Sequence, residues 1–279
     1  MGRQASTGSW IAAVIVLGAV VVAGVFLARK AMQPSPTTIS TPATAASIPA
    51  KPASAPVEHP IGEVQTAPAN ASTAAMPTLD DSDDAVASAL GGLAGGGELS
   101  SLLVRPQIIA RIVATIDALP RHELGTMVLP LRTPKGNFLT RDAGDRTVMD
   151  EQNASRYAPY MQIVAHADPQ AVVTWYVHAY PLFQKAYQQL GYPKGYFNDR
   201  LIVVIDNLLA APEPTQPPTL IRSKGFYIYA DPALESLSAG QRLLLRTGSA
   251  NAATIKAKLR AIRAQLVGQH LPAAPTSPD

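Results

Sequence analysis

The sequence predicts a mainly α-helical globular domain, with at most a short β-hairpin, carried behind one transmembrane helix and a disordered linker. Three observations predict it. Trp10 to Ala28 is a run of nineteen residues without a charge. Ala31 to Met76 holds eight prolines among many Ala, Thr and Ser. From Leu79 onward, helix caps, helix stops and apolar residues at helical spacing dominate.

At 1.5 Å rise per residue the run Trp10 to Ala28 makes a helix of about 28 Å, close to the hydrocarbon thickness of a bilayer of about 30 Å. A cleavable signal peptide would have a shorter apolar core with a small-residue cleavage site beyond it, whereas Arg29 and Lys30 follow directly here. The segment therefore reads as an uncleaved anchor, with residues 1–9 as a short tail before it. Trp10 stands where an interfacial aromatic would, and Ala19/Ala23 and Gly24/Ala28 have the spacing that lets two spanning helices approach, which makes a homodimer through this helix a candidate. Arg3 and the terminal amine before the span nearly balance Arg29 and Lys30 after it. The almost uncharged linker behind an N-terminal anchor is the composition of chains that reach across a periplasm, so the expectation is a single-pass protein of the inner membrane with a periplasmic domain.

Residues 29–76 form the expected linker. Too few large apolar groups are present to offset the entropy of ordering it. Its proline-rich part, Ala31 to Met76, would span roughly 36 Å as a flexible coil and at most about 140 Å as a polyproline helix, so the domain can work away from the lipid.

The domain is expected over residues 77–268, followed by a disordered tail at 269–279. Ser82 is placed to cap a first helix, with Asp80, Asp81, Asp83 and Asp84 at its positive end. That acidic run lacks the glycine and the distal glutamate of a calcium loop. Gly91 to Gly97 then reads as a hinge between helices, because no Lys-Ser/Thr pair follows to cradle a phosphate. Asp168-Pro169 starts a helix towards Leu190 that Pro181 should kink or restart. Its Tyr176, Tyr180, Phe183 and Tyr187 share one face, most simply the core, with a sugar-binding platform as the sharper alternative. Gly191 ends it, an aromatic turn at 191–199 follows, and Leu201 to Ala210 reads as a nearly all-apolar, deeply buried helix closed by a proline-rich stretch. A short extended pair near Leu220–Arg222 and Phe226–Tyr229 precedes a helix after Asp231-Pro232, another over Gln241–Arg246, and a last one capped by Ser249.

Charge and absences narrow the functional classes. Only six charged residues precede Pro77, while nineteen basic and eighteen acidic residues follow, so the foldable part nets about +1 and gives no argument for nucleic acid. With no cysteine, disulfides, thiolate metal sites and cysteine nucleophiles are excluded. The five histidines have no ligand-like spacing, and no cofactor or metal is expected. No HExxH, GxSxG, Ser-x-x-Lys or P-loop occurs, and Glu123, Asp199 and Glu235 are the carboxylates left for dispersed acid/base work.

Two further features stand out. Arg242, Arg246, Lys256, Lys258, Arg260 and Arg263 lie in a region without an acid between Glu235 and Asp279, either a solvated surface or a basic face for anionic lipid, a polyanion or an acidic partner. Arg111 to Leu119 and Arg200 to Leu208 match in Arg, Ile, Asp and Leu at equal spacing on two very apolar helices. An aspartate inside such a helix is costly unless paired, so these helices are expected to pack together with Asp117 and Asp206 satisfied by Arg200, Arg111 or backbone amides.

The strings GYPKGYFNDRLIVVIDNLL, YVHAYPLFQKAYQQL and ADPALESLSAGQRLLLRTGSANAATIKAKLRAIR, with IVATIDALPR and RYAPY, resemble a bacterial domain-of-unknown-function family numbered 3014, over about Pro77 to Leu266. The resemblance implies a Gram-negative, membrane-anchored protein with a helical domain, and supplies no activity or catalytic residue. The expected function is that of a non-enzymatic envelope protein whose tethered domain binds another protein, through Tyr192, Tyr196 and Phe197 and through the basic C-terminal residues. A cell-wall glycan binder on the aromatic stripe, and a hydrolase using dispersed carboxylates, are the alternatives.

Overall fold

The computed structural model describes residues 57–63, 77–95, 98–223 and 225–267. The expected span at 10–28, most of the linker at 29–76 and the tail at 269–279 lie outside the described residues. Among the described residues no helix is long and apolar enough to cross a membrane.

The chain runs α1 (Asp83–Leu93), α2 (Glu98–Leu102), α3 (Ile108–Ala118), β1 (Thr140–Ala143), β2 (Arg146–Met149), α4 (Ala158–His166), α5 (Pro169–Gln189), α6 (Phe197–Leu209), β3 (Thr219–Ser223), β4 (Phe226–Tyr229), α7 (Pro232–Glu235), α8 (Ala239–Thr247) and α9 (Ser249–Leu266). Helices α3, α5, α6 and α9 pack on one another around the main core. Each contributes one apolar stripe, such as Ile109, Ile112, Val113 and Ile116 from α3 and Leu201, Val204, Ile205 and Leu208 from α6. The stripe Tyr176, Tyr180, Phe183 and Tyr187 on α5 is buried within this core.

The sheet is larger than expected. Four antiparallel strands lie in the order β1-β2-β3-β4, so the expected pair β3-β4 is half of it. Ala143 pairs with Arg146, which leaves Gly144 and Asp145 as a two-residue turn with Gly144 at φ 70°. That Gly-Asp pair between two short runs is a local hairpin signal in the sequence. Thr147 opposite Leu220 and Val148 opposite Thr219 join the two hairpins.

Several starts and stops fall elsewhere than expected, for local reasons. The Ser82 hydroxyl donates to the Leu79 carbonyl and does not cap α1. Asp83 instead reaches across to α3, accepting from the amides of Gln107 and Ile108, both at 2.7 Å. It thereby caps that helix where Gln107, at φ 58°, cannot. Gly91 and Gly92 are helical, so the break between α1 and α2 falls in the later part of the expected hinge. Asp168 caps α5 as read, but α5 continues through Pro181 as one helix. Helix α6 starts at Phe197, not Leu201, and its outer face carries Val203, which is 52% exposed. Ser249 is the first residue of α9 and makes no cap, whereas Ser238 and Gln241 form a reciprocal capping box on α8.

Residues 57–63, placed inside the disordered linker by composition, are docked on the domain at the start of α6. The stretch that can act as linker before this contact shortens to 29–56.

Candidate functional site

The site begins with a glutamine. Gln184 on α5 receives a hydrogen bond from the Tyr180 hydroxyl on its Oε1 at 2.8 Å. The same oxygen accepts from the Phe197 amide at 2.9 Å, and the Gln184 Nε2 donates to the Gly195 carbonyl at 2.7 Å. One side-chain amide thus bridges the turn before α6 and satisfies a backbone donor that the helix start leaves free. Burial pushes the Tyr180 hydroxyl well above its ordinary pKa, and the neighbouring Tyr196 hydroxyl adds to the shift, so it stays a donor at neutral pH. Phe197, with no exposed surface, stacks on Phe183 at 5.8 Å and 13° between ring planes. Turn and helix start are therefore fixed from below.

On this platform three polar residues, at positions 196, 198 and 199, read the backbone of residues 57–63. Asp199 accepts from the Glu58 amide at 3.1 Å and the His59 amide at 2.8 Å. The Tyr196 hydroxyl accepts from the Ile61 amide at 2.6 Å, and the Asn198 Nδ2 donates to the His59 carbonyl at 2.9 Å. Pro60 has no N–H, so every backbone donor from 58 to 61 is taken by a domain side chain. The Ile61 side chain packs against the core. Asp199 also sits in the first turn of α6, where the helix dipole favours a negative charge. Asn198 is fully buried, and its Oδ1 meets no donor among the described residues.

Of the residues expected to form an interaction surface, Tyr196 is in this site. Phe197 is not a surface residue at all, because its ring completes the core. Tyr192 is partly exposed, stacks on Tyr187 at 4.6 Å and donates to Asp117 at 3.3 Å, so it belongs to an ion-pair cluster beside the site.

In that cluster the Arg200 Nε donates to the buried Asp117 Oδ1 at 2.9 Å, and Arg121 pairs with the other carboxylate oxygen. The expected α3–α6 pairing is therefore present once, not twice. Arg111 instead holds the Pro106 carbonyl at 2.8 Å and the carbonyls of Met127 and Leu129, clamping two loops. Asp206 points away from α3, on the half-exposed side of α6, and pairs with Arg263 of α9.

The basic residues do not make a shared face. Arg242 pairs with Glu235 at 2.7 Å and Arg246 lies over the rings of Phe138 and Tyr229. Lys256 is buried on the Ala211 carbonyl and Glu213, both at 2.6 Å, and Lys258 closes the end of α4 on the Ala167 carbonyl at 2.6 Å. Arg263 is on Asp206, and Arg260 is exposed. A run of positive charge in sequence is here a set of helix-end and loop fasteners, because consecutive turns of α8 and α9 aim at different neighbours.

Of the carboxylates held open for acid/base work, Asp199 is engaged on the docked segment and Glu235 on Arg242 and the Tyr229 amide, while Glu123 is exposed to solvent. Among the described residues no three His, Asp or Glu side chains stand close enough to hold a metal ion. A groove of about 410 Å³ between the proline-rich loop after α6 and the start of α9 contains Glu151, Glu213 and Lys256.

Sequence reasoning missed Gln184, Asn198 and the docked segment. One signal was available: both acidic residues that precede Pro77, Glu58 and Glu63, fall inside the string VEHPIGE, where the Pro/Ala/Thr composition breaks.

A family model described as a protein of unknown function, DUF3014, matches residues 108–263. Tyr196, Asn198 and Asp199 fall inside the matched stretch and the docked segment outside it. No curated protein and no solved structure matches the chain.

Proposed function

The chain belongs to DUF3014, a family of proteins of unknown function, and from that premise we propose a non-enzymatic, membrane-anchored envelope protein whose helical domain binds an extended peptide segment at the start of α6. The single observation that carries the reading is the set of four side-chain-to-backbone hydrogen bonds by which Tyr196, Asn198 and Asp199 hold residues 57–63. Side chains that read a backbone, with one apolar anchor beside them, are how protein modules recognise extended segments.

The anchor and its side of the membrane rest on sequence: the uncharged run Trp10 to Ala28 for a single pass through the inner membrane, and the linker composition for a periplasmic domain. A small-residue spacing within that run supports a homodimer as a secondary feature. A wall-glycan platform made of the α5 tyrosines finds no support, since those rings are in the core. Of the carboxylates expected for a hydrolase, Glu235 is taken by Arg242 and Asp199 by backbone amides, while Glu123 is exposed.

The test uses the full chain in detergent with its own residues 57–63 replaced by Gly and Ser. A labelled peptide with the sequence of residues 57–63 is expected to bind saturably, and Asn198→Ala in that background to abolish binding while the melting temperature shows the domain folded. Binding that never saturates, or that ignores Asn198→Ala, would overturn the proposal. Reporters active on only one side of the membrane, fused after Asp279, are expected to report outside the cytoplasm.

A further inference from the structure

Residues 57–63 contact the domain in a way that is specific in position and weak in total. Among the described side chains, four hydrogen bonds and one partly buried isoleucine stand against the ordering of seven residues, which leaves a small net gain. The side chains of Glu58 and His59 make no hydrogen bond or ion pair among the described residues, so the domain reads their backbone and not their identity. What it does read is shape at the next two positions: a proline that offers no N–H, then an aliphatic side chain against the core. His59, preceding a proline, is biased towards extended backbone before it docks.

The path back to the domain is short. Only residues 64–76, thirteen in number, separate the docked segment from Pro77. A tether of that length gives an effective concentration of the order of millimolar. A marginal contact made at such a concentration is occupied in the resting chain, yet yields to a competitor that binds more tightly.

We infer that residues 57–63 are a displaceable ligand held in cis, which gates the Tyr196–Asn198–Asp199 site against an extended segment of another protein carrying a proline followed by an aliphatic residue. This rests on the reading of the site as a peptide acceptor and adds its regulation and the chemistry of its partner. A partner that matches the proline and the aliphatic anchor, and extends past the seven residues, gains contacts that the cis segment lacks. Weak or mismatched segments are kept out by competition, since half-saturation in trans rises by the ratio of the effective concentration to the intrinsic dissociation constant.

The experiment compares the full wild-type chain with the variant whose residues 57–63 are Gly and Ser, both titrated with the labelled 57–63 peptide. The gate predicts half-saturation at least about tenfold higher in wild type. Equal affinity for both chains would overturn the gate and leave the peptide site standing, whereas no binding to either would overturn both. A second measurement needs no variant: with excess unlabelled peptide, hydrogen exchange at the Glu58, His59 and Ile61 amides of the wild-type chain is expected to speed up. Unchanged protection at those three amides under saturating peptide would also overturn displacement.

Discussion

Arg200 joins α6 to α3 through Asp117 alone: its Nε donates to the Asp117 Oδ1 at 2.9 Å and its Nη2 to the Asp117 main-chain carbonyl at 2.7 Å. Asp117 is 2% exposed, so removing the arginine leaves its Oδ1 and main-chain carbonyl without that donor, with only Tyr192 and the mostly exposed Arg121 still on Oδ2. Arg200→Ala is expected to destabilise the domain by about 3 kcal/mol. Arg121→Ala, at the mostly exposed partner, should cost about 1 kcal/mol or less. Urea midpoints of the two variants check the ordering, and equal losses would mean that Asp117 does not depend on Arg200.

Asp206 is the contrasting case. Its pair with Arg263 is about half exposed on both sides, so Asp206→Asn is expected to change stability by roughly 0–1 kcal/mol. The equal spacing of Arg and Asp in α3 and α6 suggested the same role for both aspartates. Thermal melting of D117N and D206N side by side separates them, D117N being the more destabilised.

Gly240 sits inside α8, where alanine would ordinarily add about 1 kcal/mol. Here a Cβ would stand 2.5 Å from the Leu208 Cδ2 and 3.3 Å from the Leu119 Cβ, both on fully buried side chains. Gly240→Ala is therefore expected to destabilise by about 1 kcal/mol net, overpacking outweighing propensity. A higher melting temperature for G240A would show that the α3–α6–α8 contact is looser than described.

Lys256 holds the Glu213 carboxyl below its ordinary pKa of 4.5, by hydrogen bond first and by charge second. A carboxyl lowered on folding contributes stability above its unfolded value and loses it as pH falls through the lowered folded value. The melting-temperature difference between wild type and Glu213→Gln is expected to be constant above pH 4.5 and to shrink on further acidification. A difference that grows in acid would contradict the pairing.

How much was legible follows from where the signals lie. The α5 cap at Asp168 and the buried tyrosine stripe were legible because caps and periodicity are local. The Arg200–Asp117 pair was legible because an aspartate in an apolar helix demands a partner. The capping of α3 by Asp83 was not, since the donor helix lies about two dozen residues on and Asp83 reads equally well as the first turn of its own helix. The basic residues misled because sequence neighbours on α8 and α9 diverge in space. Residues 57–63 were hidden by composition: a segment with too few apolar groups to fold alone is held by Tyr196, Asn198 and Asp199, some 140 positions away, and by Ile61 against the core.

The central claim is that the start of α6 grips the backbone of residues 57–63, and amide hydrogen exchange on the full chain tests it most directly. The account predicts protection at Glu58, His59 and Ile61, with Asp199→Ala releasing Glu58 and His59 while the core amides of α6 keep theirs. Exchange at 58–61 as fast as in an unstructured peptide, or protection that Asp199→Ala leaves untouched, would contradict it.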